Sequence, residues 1–448
     1  MSNLQLSKAV PNQTVPNQQP IREKIEEFFL KERTRQESSL NMIASSNVVP
    51  KYVLEALGSN FTNVVAEGYR NNRYHTGTEN YDDLEILGEE LAQKAFGGYD
   101  VNLKPHSGTQ AVQAAFLAMK AEGRSCVLSM GLKDGGHITH GKITHFNKEI
   151  GFKFVHYGVS PDWSIDYEQV QQLAKQEGAD IIVVGASAYP KKIEWSCFRE
   201  IADKVGARII ADISHYAGLI AGGAYPNPGA NADIIVMSTN KTLPGPKGGI
   251  IFLGKESDEK LKTTVKRAVN IGLQSEDISN GVVGKVAVLA IAQHKRFPEY
   301  AQATVANARL LCSYLHNSGI PVVGYDTKTQ GTDSHMVLIN VHAYNPLLNG
   351  NIVAEALAKA GIYANRNPIP KDPLSSNETS GVRFGTAAIS LLGMGESEVR
   401  QVGTIIAEVI ASLRVDKGRV LYNNTILQTA RSDIAKLRQK FCETIFDK

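Results

Sequence analysis

The sequence predicts an α/β protein built on a doubly wound, mostly parallel sheet. One observation is a series of short apolar runs typical of buried strands. They begin at Cys126, Phe152, Asp180, Arg208, Asp233 and Gly248. Another is that stretches with helical patterning, such as 166–178 and 197–206, lie between several of these runs. Strands that alternate with helices are typical of parallel sheets covered by helices. The last two runs are joined by a short loop instead of a helix.

Composition and charge narrow the class of protein. Of the 448 residues, 42% are hydrophobic and 21% are charged, which is close to globular averages. The 48 basic and 45 acidic residues give a net charge of only +3, which argues against nucleic acid or an anionic membrane as a partner. No apolar run approaches the roughly 18–20 residues that a membrane helix needs. We therefore expect no nucleic-acid or membrane partner.

The cysteines indicate a reducing compartment. Cys126, Cys197, Cys312 and Cys442 are far apart and form neither a CxxC pair nor a metal-type spacing. Scattered thiols of this kind argue against a disulfide framework or a bound metal. The N-terminus has no apolar stretch of the signal-peptide type and no arginine before Arg22. We expect a cytoplasmic protein without a metal site.

Changes in composition and in the spacing of apolar residues suggest four segments along the chain. Residues 1–20 are rich in Asn, Gln and Pro and are expected to be disordered. Residues 21–48 form a helical arm in which Ile21, Ile25, Phe28 and Phe29 recur at helical spacing. Residues 49–300 form the large sheet domain. Residues 301–448 form a smaller α/β unit, with strand-like runs and helical stretches that begin at His335, Asn351, Gly381, Glu396 and Ile426.

Three positions carry residue types suited to chemistry. Ser107, Gly108 and Thr109 immediately precede a helix, where free backbone N–H groups and hydroxyls can bind a phosphate. Taken alone, this turn is better explained as an ordinary helix cap. The spacing is neither that of a P-loop nor that of a dinucleotide-binding glycine motif.

The other two positions follow buried strands. Asp212 and His215 come just past one strand, where ligands of open α/β sheets bind. Lys241 ends another strand before a Gly/Pro-rich turn and could form a Schiff base with an aldehyde. A capping aspartate and a surface lysine are the structural alternatives. Together with the phosphate turn, these residues supply what pyridoxal phosphate requires: a phosphate site, a carboxylate for the ring nitrogen and a covalent anchor.

The same residues lie within a family resemblance that covers about residues 37–415. The sequence resembles serine hydroxymethyltransferases, which are fold-type I pyridoxal phosphate enzymes with a large sheet domain and a smaller C-terminal α/β domain. The matching segments are LNMIASSN, AEGYRNNRYHTG, PHSGTQA, DGGHITHG, VGASAYP, ADISHYAGLIAGG, TNKTLPGPKGG, TDSHMVLINV, NRNPIPKDP and TSGVRFGTAA.

The resemblance implies a role for each matching residue. Lys241 would bind the cofactor covalently, Asp212 would pair with its pyridinium nitrogen, and His215 would lie near its hydroxyl. His137 would stack on the ring. The other residues expected at the cofactor are Ser107, Gly108, Thr109, Ser187 and Thr239.

For the substrate, the resemblance implies that Arg383 binds the carboxylate with help from Ser45, a task that suits the guanidinium fork. Glu67 would be the acid/base carboxylate beside the substrate hydroxyl, and His75 would line the same region. The resemblance also implies a homodimer with shared active sites.

Several departures from the family pattern surround this predicted site. Ser46 stands where the family usually has Glu, Val65 and His75 each replace a tyrosine, and Asn240 replaces a histidine. Pro244 and Lys247 alter the turn after Lys241, and the family's glycine-rich PGxQGGP loop is replaced around 270–281. We therefore expect an active enzyme whose substrate or outcome has shifted.

The leading functional hypothesis is cleavage or formation of the Cα–Cβ bond of a β-hydroxy amino acid through an external aldimine. Hydroxymethyl transfer, aldolase and transaldolase reactions are all variants, with an aldehyde or one-carbon co-substrate. The alternatives are elimination, replacement or cyclisation of a larger amino acid, and a non-catalytic binding protein. Tetrahydrofolate is a possible co-substrate, but the lost polar groups at positions 46, 65 and 75 lead us to expect that the main reaction does not need it.

Overall fold

A computed structural model describes residues 19–97, 100–254 and 259–448. The segment 1–20 that the sequence predicts to be disordered lies outside the described residues, except for its last two positions. These already belong to the first helix, α1, which spans Gln19–Glu37. The predicted arm 21–48 is therefore helical only as far as Glu37, and the chain then enters a short strand at Leu40–Asn41.

The large sheet has seven strands, which confirms the predicted α/β class. In chain order they are β1 (Asp100–Asn102), β2 (Cys126–Met130), β3 (Lys153–Tyr157), β4 (Ile181–Val184), β5 (Arg208–Asp212), β6 (Ile234–Ser238) and β7 (Gly249–Leu253). Their order across the sheet is β1-β7-β6-β5-β4-β2-β3. The neighbouring pairs β3–β2, β2–β4, β4–β5 and β5–β6 are parallel. The strand β7 runs antiparallel to both of its neighbours, β6 and β1. The short loop between β6 and β7 accounts for this reversal.

Helices cover both faces of this sheet, which is why its strands are continuous apolar runs. In β4, Ile182 and Val184 point into one core, whereas Ile181 and Val183 point into the other. The remaining helices are α2 (Lys51–Leu57), α3 (Glu79–Phe96), α4 (Gly108–Ala121), α5 (His145–Glu149), α6 (Tyr167–Glu177), α7 (Trp195–Val205), α8 (Ala217–Ala221), α9 (Glu259–Val269), α10 (Ser279–Ile291), α11 (Phe297–Asn317), α12 (Val341–Tyr344), α13 (Gly350–Lys359), α14 (Ala387–Leu391), α15 (Glu396–Ser412) and α16 (Asn424–Gln439). Within the described ranges, none of the helices is long and apolar enough to cross a bilayer.

A second core lies around a three-stranded antiparallel sheet of β8 (Met336–Asn340), β9 (Asn365–Asn367) and β10 (Gly381–Gly385), with β10 in the centre. Leu40 and Met42 also belong to this core, because their segment pairs with Ile362–Tyr363.

The predicted domain division stays a prediction. The boundary at 300/301 falls inside α11, whose first half packs into the large core and whose second half packs into the small one. One long helix therefore connects the two units.

Candidate active site

A cavity of about 270 Å³ opens at the carboxyl ends of β5 and β6. Sites in open α/β sheets are found at this edge. The cavity is lined by Ser45, Ser107, Gly108, Thr109, His137, Thr139, Asp212, Ser214, Ser238, Asn240, Lys241, Lys247 and Gly248. Seven of the residues that the sequence marked for the cofactor or substrate therefore meet in one place.

The N-terminus of α4 forms one end of the cavity. Ser107 caps the helix, because its Oγ accepts a hydrogen bond from the Gln110 N–H at 3.1 Å. A Cβ on Gly108 would lie 2.1 Å from Ser238 Oγ, so only glycine allows the helix to approach the end of β6 this closely. The free N–H groups of the first helical turn and the exposed cation Lys247 make this end suited to an anion.

Asp212 ends β5 with a buried carboxylate. His140 Nε2 donates to Asp212 Oδ2 at 2.9 Å, and the backbone N–H of Ser214 donates to Oδ1 at 3.0 Å. Burial acts to raise the pKa of Asp212, but the hydrogen bond from His140 and the charge of Lys241 outweigh it and hold the pKa well below its usual range. Asp212 therefore stays ionised and can pair with a cation in the cavity.

Lys241 lies in the loop after β6, opposite Asp212. Asn47 Nδ2 donates to the Lys241 carbonyl at 2.7 Å, and Asn47 is itself bonded to Tyr300, which fixes the backbone of the loop. Desolvation lowers the pKa of Lys241 to about 8, although the charge of Asp212 opposes the shift. A larger fraction of neutral amine makes Lys241 a better nucleophile towards an aldehyde near neutral pH.

His137 lies on the wall of the cavity as a neutral imidazole. Its Nδ1 accepts from the Thr139 backbone N–H at 3.3 Å and lies 2.7 Å from Thr139 Oγ1. Because Nδ1 accepts, the proton of the neutral ring is on Nε2. Desolvation, together with the neighbouring His140, lowers the pKa of His137 to about 4. The ring can therefore stack on a flat aromatic ligand without adding a charge.

His215 is buried behind the cavity and stacks on His335, with ring centroids 5.5 Å apart and an interplanar angle of 20°. His335 Nε2 donates to the Ala44 carbonyl at 3.0 Å and lies 3.4 Å from His215 Nδ1. Since His335 Nε2 carries the proton, His215 Nδ1 must be an acceptor, and the proton of His215 is on Nε2. Desolvation lowers the pKa of both rings, to about 3 for His335.

Arg383 is the central residue of β10 and is only 6% exposed. Its guanidinium donates to the Ser187 carbonyl and to Asn365 Oδ1, at 3.2 Å from Nε and 3.1 Å from Nη2. No carboxylate within the described ranges lies close enough to form an ion pair with it. Desolvation lowers the pKa of Arg383 to about 10. A buried cation without a counter-ion favours the binding of an anionic ligand.

Two further predicted cofactor residues lie beside the cavity and do not line it. Ser187 reaches the site through its carbonyl, which accepts from Arg383. The Thr239 hydroxyl donates to the Pro246 carbonyl at 2.6 Å and shapes the turn after Lys241. Their assignment to the cofactor stays a prediction.

Glu67 and His75 are placed together but are not among the residues that line the cavity of their own chain. His75 Nε2 lies 3.6 Å from Glu67 Oε2, and the two side chains are 49% and 34% exposed. Val65 is also exposed. Ser46 faces a separate cavity, where its Oγ accepts from Asn41 Nδ2 at 2.9 Å.

The structure adds residues that sequence reasoning missed. His140, His335 and Asn365 contact Asp212, His215 and Arg383 respectively. All three lie in segments that carry the family resemblance. Their being polar residues inside such segments was the one sign in the sequence that they could belong to the site. Their partners could not be read from the sequence, because each contact joins distant parts of the chain.

The residues present fit pyridoxal phosphate. An anion-binding helix N-terminus, an ionised carboxylate, a lysine with a lowered pKa and a neutral imidazole surround one cavity. These are the groups that the phosphate, the ring nitrogen, the aldehyde and the ring face of that cofactor require. Ser107, Gly108, Thr109, Asp212 and Lys241 would hold it.

Comparison with known proteins agrees with this fit. A family model described as serine hydroxymethyltransferase matches residues 19–406. The chain is 40% identical over 384 residues to a serine hydroxymethyltransferase from Wolbachia sp. subsp. Drosophila simulans (strain wRi), which covers 86% of this chain and 88% of that protein. The chain therefore belongs to the serine hydroxymethyltransferase family, whose members are fold-type I enzymes that depend on pyridoxal phosphate.

Proposed function

We propose that this enzyme makes or breaks the Cα–Cβ bond of a β-hydroxy amino acid, as in hydroxymethyl transfer. The observation that carries the proposal is Arg383, a buried cation without a carboxylate partner in the described part of the chain, whose charge acts on both Lys241 and His137. Arg383 is not among the residues that line the cavity, and an amino acid whose carboxylate reaches its guanidinium would supply the missing negative charge. Its amino group would then face the position where Lys241 holds the cofactor.

When bound, pyridoxal phosphate supplies a ring that withdraws electrons and stabilises negative charge at the amino acid's Cα. The chain's own residues set the conditions for this chemistry. Asp212 would hold a proton on the ring nitrogen, because its carboxylate stays ionised. His137 would cover one ring face, and the Nε2–H of His215 would be available to a hydroxyl. Arg383 would fix the substrate carboxylate by two parallel hydrogen bonds.

Glu67 and His75 would act in the active site of a second subunit. Their pair is exposed and does not line the cavity of its own chain. Other exposed apolar side chains support a homodimer. They include Ile21, Phe28 and Phe29 on α1, together with Tyr74 beside His75. Exposed apolar surface of this extent favours association between copies of a chain.

Mixed dimers test whether the sites are shared. Lys241→Ala and Glu67→Gln should each be inactive when pure. If Glu67 serves the partner's cavity, dissociating and re-pairing the two variants creates one intact site per mixed dimer, and activity should return to at most about a quarter of wild type. If Glu67 serves its own cavity, the mixture stays inactive, and this part of the proposal is wrong.

We further propose that the main reaction does not require tetrahydrofolate. Val65 and His75 remove two phenol hydroxyls beside Glu67, and Ser46 is bonded to Asn41 and offers no carboxylate. A site that has lost buried polar partners discriminates against the ligand that used them. Longer β-hydroxy amino acids with an aldehyde product are then the favoured substrates.

Steady-state turnover of serine and of longer β-hydroxy amino acids, with and without tetrahydrofolate, tests this proposal. Turnover of the longer substrates without folate is the expected result. The contrary result is efficient serine cleavage that depends strictly on folate, with no turnover of the longer amino acids. It would assign the ordinary hydroxymethyltransferase reaction and overturn the proposal that folate is not required.

We also propose a reducing, cytoplasmic compartment. All four cysteines are free thiols, and two of them, Cys126 and Cys312, are buried. Mass spectrometry of protein that is denatured and alkylated directly on cell lysis should find the alkyl group on all four cysteines. A native disulfide would contradict the proposed compartment.

A further inference from the structure

We propose that Lys104 is a positioning residue for the phosphate end of the active site, an inference that rests on the proposed use of pyridoxal phosphate. Lys104 lies three residues before Ser107 and does not line the cavity. It acts through a buried group of charges, the Lys104 cluster, formed by Arg73, Glu85, Lys104 and Asp277. This cluster joins the segment that enters α4 to the loop around 270–278.

The Lys104 ammonium is unusually enclosed for a lysine, with 1% of its side chain exposed. Its Nζ lies 2.6 Å from Asp277 Oδ2 and 3.0 Å from Glu85 Oε1. Tyr81 donates to the same Asp277 oxygen at 2.9 Å. Arg73 Nη2 contacts Glu85 Oε2 at 2.6 Å and Asp82 Oδ1 at 2.7 Å, so the cations of the cluster are each held between carboxylates largely away from water.

The backbone beside Lys104 is bonded on both sides. Lys285 Nζ donates to the carbonyls of Leu103 and, at 3.1 Å, Pro105. The Gly249 N–H donates to the Pro105 carbonyl at 3.0 Å, and Gln274 Nε2 donates to the Lys104 carbonyl at 3.2 Å. The side chain of Lys104 contacts Asp277 directly and so adds an ion pair to the bond that Gln274 makes with this segment.

The loop that carries Asp277 also contacts α4 and the residue before its cap. His106 Nε2 donates to the Glu276 carbonyl at 3.1 Å, and Gln110 Nε2 donates to the Leu273 carbonyl at 3.3 Å. The position of Ser107 and of the first N–H groups of α4 therefore depends on where this loop is held. The buried ion pair between Lys104 and Asp277 fixes the position of this loop.

Removing one charge from the cluster leaves others unpaired. Without the ammonium, Asp277 and Glu85 would be buried carboxylates whose one remaining ion-pair partner among the described residues is Arg73, at 3.7 Å from Asp277. Arg73 is shared with Asp82, and the buried Lys285 acts on the two carboxylates only through longer-range charge. The two carboxylates, Asp277 and Glu85, would then move apart or admit water, because an uncompensated buried charge is strongly unfavourable. The loop and the entry to α4 would shift with them. The contacts of the chain with the cofactor's phosphate should therefore weaken. The contacts of Lys241 with its aldehyde and of Asp212 with its ring should stay unchanged.

The test compares the effect of one substitution on two ligands, one with a phosphate and one without it. Dissociation constants of pyridoxal phosphate and of unphosphorylated pyridoxal are measured for wild type and for Lys104→Gln. We expect the dissociation constant of pyridoxal phosphate to rise between about 10-fold and 100-fold, the effect of losing one hydrogen bond to a charged group. The constant for pyridoxal should stay within about twofold, because pyridoxal makes no phosphate contact. A general loss of stability would weaken both ligands alike.

Matched variants keep the test decisive. Asp277→Asn preserves shape and should give the same selective loss, and the double variant should bind no worse than either single variant, because the two residues act as one pair. Arg208→Gln breaks a half-buried ion pair with Asp233 at the opposite end of β5 and should leave both constants unchanged.

If Lys104→Gln does not fold, Asp277→Asn carries the same prediction. Unchanged selectivity in a folded variant overturns the inference, whereas failure of wild type to bind pyridoxal phosphate overturns the proposed function instead.

Discussion

His140 donates a hydrogen bond from Nε2 to Oδ2 of Asp212 across 2.9 Å, and the bond is buried from solvent. His140 lies in the turn after β2, whereas Asp212 ends β5. The bond opposes the effect of burial on the carboxylate and keeps its pKa well below the usual range. An electrostatic pairing with the cofactor's ring nitrogen therefore depends on a residue that does not line the cavity.

The first prediction concerns this pair. His140→Leu removes the donor, so burial should raise the pKa of Asp212 and move the acid limb of the pH–rate profile to higher pH. Asp212→Asn keeps the shape but loses the charge, and turnover should fall by orders of magnitude at every pH. Measurement of kcat against pH for both variants checks the account. An unshifted acid limb in His140→Leu would assign His140 a purely structural role.

The second prediction concerns Arg383. Arg383→Ala should weaken amino-acid binding by roughly 2–5 kcal/mol, which is at least about a 30-fold rise in Kd. Cofactor absorbance should remain normal. Arg366→Ala is the matched control, because Arg366 is exposed on the neighbouring strand β9 and its guanidinium bonds Asn351. Equal affinity of the Arg383 variant and wild type for every amino acid that reacts would exclude carboxylate binding by this residue.

The third prediction concerns covalent attachment. Because the neutral amine attacks the aldehyde and the pKa of Lys241 is about 8, the rate at which apoenzyme takes up pyridoxal phosphate should rise with pH and be half-maximal near that value. Borohydride reduction and peptide mapping should find the pyridoxyl group on Lys241. A pyridoxyl group on Lys247, which also lines the cavity, would show that the anchor was assigned to the wrong residue.

The fourth prediction concerns stability in acid. The folded-state pKa of His335 is about 3, below its unfolded value of 6.5. Between these values the unfolded chain binds more protons than the native one, so stability falls as the pH drops below 6.5. His335→Asn should reduce this slope by up to roughly 1.4 kcal/mol per pH unit. Urea unfolding at several pH values checks this, with the exposed His145→Asn as control. An identical slope in the His335 variant would refute the linkage.

The sequence was sufficient for six of the seven strands of the large sheet and for about half of the cavity wall, and it missed the short strand β1. Buried parallel strands such as β4 are continuous apolar runs, so their positions could be predicted to within one or two residues. Lys241 and Asp212 could be proposed as cofactor residues because they lie at or just after the ends of such strands.

Contacts between distant parts of the chain could not be predicted. Nothing near Lys104 in the sequence indicates a buried ion pair, because Asp277 reaches it from a loop far along the chain. The family resemblance implies a substrate role for Glu67 without saying whose cavity it enters, because that depends on how two copies associate. The predicted boundary at 300/301 stays a prediction, and no feature of the sequence indicated that α11 packs into both cores.

Product analysis tests the central claim most directly. The holoenzyme is incubated with a panel of β-hydroxy amino acids, and the products are separated and identified. Cleavage between Cα and Cβ predicts glycine and an aldehyde in equal amounts, and loss of both products in Arg383→Ala. Ammonia and a keto acid, without glycine, would show that the enzyme eliminates the β-substituent and would contradict the proposed function.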